Sequence, residues 1–152
     1  MAVTKRKAMP LLMPRKIKHR KHQKRSATTV ATAGTTLAFG SFGLRALDSS
    51  WVSARALEAA RRAMTRYVQR SGKIWVRAFP DKPRTTKGSE VPMGGGKGTV
   101  DHFVAVVRAG QILFEIGGLP TETAREALGR ASKKLPVRTG LVDRSAMLGR
   151  GF

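Results

Sequence analysis

An α+β fold is predicted: a compact two-layer domain with two helices on a mixed or antiparallel sheet. Three observations predict it. Leu57, Ala60, Met64, Tyr67 and Val68 recur at helical spacing, and so do Ala124, Ala127, Leu128, Ala131 and Leu135. Five other segments, near residues 36–47, 74–79, 100–108, 111–116 and 137–142, have the short apolar or alternating character of strands. The resulting order is strand, helix, strand, two strands, helix, strand. Mixed order of this kind suits helices packed on one face of a sheet.

The elements are read in turn. Residues 36–47, TLAFGSFGLRAL, form a strand whose Gly40 and Gly43 signal a bulge or a close backbone approach. Ser53 is the predicted N-cap of the first helix, and Gly72 its predicted stop. Arg55, Arg62, Arg66 and Arg70 lie opposite the apolar stripe, with Arg61 beside them. Like charges at this spacing repel by a few tenths of a kcal/mol per pair. Glu58 is the one acid on this helix, so the stack is easier to explain if phosphates neutralise it than as a solvated face. Residues 74–79 are apolar on both faces, which predicts an interior strand ended by Pro80 and Pro83. Residues 84–98 read as one long polar loop. Val100–Arg108 and Gln111–Ile116 read as a hairpin around Ala109-Gly110. Thr121 is the predicted cap of the second helix, which Pro136 ends.

Charge organises the rest. Lys and Arg total 30 against 9 acids, a formal net charge of +21. A charge of this size says nothing of fold, but it makes polyanions the expected partners. Residues 1–47 carry eleven basic residues and no acid. The expected division is a basic extended arm over 1–34, a domain over 35–143 and a short tail over 144–152. Without a partner the arm has no route to self-collapse. Its dense charge lacks the amphipathic stripe of a transit peptide, and no apolar segment suits a secretory signal or a membrane span. The chain has no cysteine, which removes disulfides and thiolate metal sites.

Catalytic chemistry finds little support. His19 and His22 have H-x-x-H spacing but no neighbouring carboxylate or thiol, and no metal or cofactor is expected. Asp101 and His102 are neighbours on a strand and should point to opposite faces. The run Gly94-Gly95-Gly96-Lys97-Gly98-Thr99 departs from the phosphate-binding loop at two places. Val91 stands where the first glycine belongs, and Gly98 where Ser or Thr should follow the lysine. A strand also follows it, where that motif requires a helix. What remains is flexible backbone with one cation, suited to lying against RNA. Zinc-finger, basic-zipper and RNP1 patterns are absent.

Five stretches share one order: FGSFGL (39–44), EAARRAMTR (58–66), GKIWVRAFPDKP (72–83), MGGGKG (93–98) and KLP (134–136). Over residues 11 to 142 they resemble the bacterial-type large-subunit ribosomal protein L-sixteen family. The resemblance implies a hammerhead-like α+β domain and no catalysis. It implies binding to large-subunit ribosomal RNA, to aminoacyl-site tRNA and beside neighbouring ribosomal proteins. The compartment it implies is the cytoplasmic ribosome, with an organellar ribosome as second choice. The candidate ribosomal-RNA contacts are Arg15, Lys16, Lys18, Arg20, Lys21, Lys24 and Arg25 on the arm, and Arg55, Arg61, Arg62, Arg66, Arg70, Arg77 and Lys82 on the domain. Pro92, Met93, Gly94, Gly95, Gly96, Lys97 and Gly98 form the loop that the resemblance directs towards the tRNA and the peptidyl transferase region. Pro92 and Gly95 stand where relatives often carry Arg and Lys, so this loop is less basic, and residues 1–10 read as an extension. The rival readings are a free RNA chaperone or nucleoid-type polyanion binder, and a small Ser–His hydrolase based on His102.

Overall fold

The computed structural model describes residues 12–25, 28–69 and 71–145. Arg70, the extension 1–10 and most of the tail 144–152 lie outside the described residues. The chain runs β1 (Phe42–Ala46), β2 (Ser50–Ser53), α1 (Ala54–Tyr67), β3 (Lys73–Val76), β4 (Lys82–Thr86), β5 (Thr99–Val107), β6 (Ile112–Gly117), α2 (Thr121–Ser132) and β7 (Thr139–Asp143). The α+β class and both helices are as expected. The strands, however, divide into two antiparallel sheets, one ordered β3-β6-β1-β7 and the other β2-β5-β4.

Both helices pack on each other, and α1 reaches β2, β5 and β3 while α2 reaches β1 and β7. Leu57, Ala60 and Met64 of α1 meet Ala124, Ala127, Leu128 and Ala131 of α2 in one core, with Val52, Val107, Phe114 and Ile116 from the sheets. Alanines dominate the α2 stripe, which lets a second helix come close. Ser53 caps α1 as predicted, its Oγ accepting from Ala56 N–H at 3.2 Å.

Several elements differ from expectation, each for a local reason. The hairpin is absent, because β5 pairs with β2 and β4 while β6 pairs with β1 and β3. The turn between them spends its polar groups elsewhere: Gly110 N–H donates to Ala46 O at 2.7 Å and Ile112 N–H to Gly34 O at 2.8 Å. β3 is an edge strand, and its second apolar face is covered by a loop, with Phe39 stacked on Trp75 at 6.0 Å. Pro83 does not end a strand but lies inside β4, another edge, where a missing amide donor is tolerated. α1 stops a little before Gly72: Val68 is the C-cap and Gln69 takes a positive φ of 49°, while Gly72 has the expected positive φ, 68°, at the entry to β3. Pro120 is the cap residue of α2, and Thr121 is its first helical residue.

The first predicted strand is only half strand. Residues 38–40 leave the sheet and fold over Glu115 on β6. Gly40 permits this, since a Cβ there would lie 2.6 Å from Ile116 O.

Candidate nucleic-acid interface

Strand alternation gives the three-stranded sheet two unlike faces. Val52 and Val107 point into the core. Trp51, paired with Val106 in register, faces the other way, as do Lys82, opposite Val104, and Arg84, opposite His102. This outer face is where the basic arm lies.

The arm is held there by the domain's own cations. Lys82 Nζ donates to Arg25 O at 3.0 Å, and Lys97 Nζ donates to His22 O. In return Lys21 Nζ donates to Lys97 O at 2.6 Å. Between the arm and the sheet runs an open groove of about 760 Å³, with His19, Lys21, His22 and Arg25 on one side and Phe79, Lys82 and Val106 on the other. Arg15, Lys16, Lys18, Arg20, Lys21, Lys24 and Arg25 are all exposed. Backbone carbonyls hold Lys21 and Lys97 without cancelling their charge.

The glycine loop joins this surface at its far end. Lys87 Nζ ties its own end to Gly94 O at 2.6 Å. Gly94, Gly95 and Gly96 have φ of 104°, 63° and 89°, and a Cβ on any of them would meet nothing within 4 Å. Met93 is fully exposed at the tip. Pro92, Gly98 and the glycines line a shallow hollow with Lys97. The fold thus brings arm and loop together although about seventy residues separate them.

A second basic cluster lies on α1, on the core side of the same sheet. Arg55, Arg62 and Arg66 are exposed. Arg61 is half-buried and forks onto Glu58, with Nε at 2.8 Å and Nη2 at 2.7 Å, and Arg62 Nε reaches the same carboxylate at 2.9 Å. The hydrogen bond from Arg61, opposed by burial and helped by Arg62, holds the Glu58 carboxyl below its usual range. One acid between two arginines leaves the helix face cationic.

Three residues read from the sequence behave differently. Arg77 turns inward, pairing with the fully buried Glu115 and lying 5.3 Å from the Phe39 ring. Asp101 and His102 meet after all, Nδ1 lying 2.7 Å from Oδ2. The register of β5 with β4 slips between Arg84 and Thr85, so Asp101 is left without a partner residue and is re-aimed by the bulge. Sequence reading also passed over Arg84 and Trp51. The signal was there: an Arg two residues from Lys82, hidden by placing 84–98 in a loop.

A basic arm and a bare glycine loop on one side of the sheet, with an arginine-faced helix behind, leave two cationic faces suited to a polyanion. A family profile described as ribosomal protein L16p/L10e matches residues 14–142. The chain belongs to that family. It is therefore a non-enzymatic structural protein of the large ribosomal subunit, with ribosomal RNA and ribosomal proteins as its partners. In this ribosomal protein the matched span takes in most of the described arm, both sheets, both helices and the loop. No described helix is long and apolar enough to cross a membrane.

Proposed function

We propose that this protein helps shape the aminoacyl-tRNA site of the large subunit, near the peptidyl transferase centre, in a cytoplasmic ribosome. In this reading Arg15, Lys16, Lys18, Arg20, Lys21, Lys24 and Arg25 follow ribosomal RNA along the outer face of the three-stranded sheet. Arg55, Arg61, Arg62 and Arg66 engage a second RNA segment from α1. Lys82 serves the same surface by pinning the arm through Arg25.

The observation that carries the reading is the Lys21–Lys97–His22 clasp between arm and loop. RNA gripped by the arm sets the position of the loop through that clasp, so a loop without bulky side chains can be held close to a tRNA. Attachment falls to the arm and helix, and the loop is left for accommodation.

Replacing Gly94 and Gly96 by Val tests this. Both positions have positive φ and open space around them, so the strain stays within the loop. Incorporation into the subunit should be nearly unchanged, and peptide-bond formation with aminoacyl-tRNA should slow. Normal translation with both valines would make the loop a spectator. Loss of incorporation would make it an assembly element.

A further inference from the structure

We propose that Trp51, Arg84 and Lys24 form a separate pocket for one unpaired ribonucleotide, its phosphate on Arg84 and Lys24 and its base stacked on the Trp51–Arg84 pair. The inference rests on the chain being an RNA-bound ribosomal protein; beside the arm–loop clasp it joins the arm's Lys24 to Trp51 and Arg84, two residues that the reading above does not use.

The geometry comes from both edges of the three-stranded sheet. Trp51 on β2 and Arg84 on β4 reach over β5 from opposite sides. Arg84 Cζ lies 5.0 Å from the Trp51 ring centroid, and Lys82 Nζ lies 4.6 Å from it. The two cations are not equivalent. Lys82 is engaged with Arg25 O, whereas Arg84 has no hydrogen-bond or ion-pair partner among the described residues. A guanidinium lodged near an indole is pre-positioned, and its fork of donors remains open.

Beside this pair is an open hollow of about 460 Å³, lined by Lys24, Ser49, Ser50, Trp51 and Arg84. The lining contains two cations, two hydroxyls and an aromatic ring, and no acid. The indole Nε1–H is buried without a partner among the described residues. Such an orphan is a cost that the free chain carries.

The ligand class follows from this chemistry. A phosphate uses the cations and the hydroxyls but not the ring, and an apolar peptide uses the ring but not the charges. An unpaired nucleotide uses both, because exposed bases stack on aromatic and guanidinium planes while the backbone takes the cations. Duplex RNA keeps its base faces hidden in its own stack, so it fits less well.

Tryptophan emission of the full-length chain reads the site directly. A Trp75→Phe background leaves Trp51 as the one emitter. Oligoadenylate should quench it, and an RNA duplex of equal length should bind without quenching. Arg84→Gln should weaken oligoadenylate binding about 10-fold, within the range expected of one stacked base. Arg125→Gln removes the same charge from an exposed position on α2 and should cost about 2-fold, the effect of diffuse charge alone.

Absence of quenching at saturating oligoadenylate would overturn the proposal. So would equal losses for the two arginine variants. Arm release in Arg84→Gln, seen as new proteolytic cleavage near Lys24 with unchanged RNA affinity, would make the cluster an arm latch. Protection of Trp51 by an acidic ribosomal protein rather than by RNA would make it a protein contact. None of these results would alter incorporation of the wild-type chain, so failure here stays distinct from failure of the loop reading.

Discussion

Glu115 is a fully buried carboxylate on β6, between two strands of the four-stranded sheet. Burial by itself pushes its proton affinity up. The N–H groups of Gly40 and Phe39, each at 2.7 Å, and of Ala38 at 3.3 Å oppose this, together with Arg77. Their combined effect wins, and the carboxyl titrates below its ordinary value of about 4.5. A lowered folded value makes the ionised form stabilising. That contribution is complete above about pH 4.5 and is lost as pH falls through the folded value. Glu115→Gln should destabilise the protein by about 3 kcal/mol at neutral pH, since it strands Arg77 and weakens three backbone contacts. Denaturant midpoints measured across pH should show the gap between variant and wild type closing in acid. A constant gap would mean that packing, and not charge, anchors residues 38–40.

At the scale of elements, the helices depend on local signals and the strands on distant ones. Ser53 illustrates the first case. It has an extended backbone, with φ −70° and ψ 152°, and its Oγ satisfies one of the open N–H groups of α1. Ser53→Ala should cost about 1 kcal/mol and lower the melting temperature, with ribosome incorporation retained. A stability change indistinguishable from zero would mean that packing of Leu57, Ala60 and Met64 holds the first turn unaided. The strands illustrate the second case. Val100–Arg108 and Gln111–Ile116 have the pattern of a hairpin, yet each pairs with other strands. Alternation says that a segment is extended and which residues share a face. It is silent on which edge the segment meets.

The whole molecule is a polycation with its charge on two sides of one sheet. An arm and helix that neutralise about 6–10 phosphates should lose about 10³–10⁵-fold in RNA affinity between about 50 and 200 mM salt. Titrations of the isolated chain against ribosomal RNA at several salt concentrations measure this, and a nearly flat dependence would contradict an electrostatic grip. Loss of the arm–loop clasp should show up differently. Lys97→Met removes its donation to His22 and the charge together, so loop mobility should rise along with the modest loss of affinity. Amide exchange over residues 93–98 would detect it.

Much of this was legible in the chain itself. The helices, the Ser53 cap, the polyanion partner and the glycine loop follow from periodicity, capping chemistry, charge and composition, all of which act within a few residues or need no geometry. The family is legible from five ordered stretches. Only the tertiary structure decided that seven strands form two sheets, that Arg77 turns inward to Glu115, and that Lys97 grips His22 while Arg84 lies over Trp51. These pairings join residues from about thirty to seventy-five positions apart. Which of many chemically equivalent partners a cation or a strand edge meets is settled when the core closes, because burial places the backbone first and the side chains then take the partners within reach.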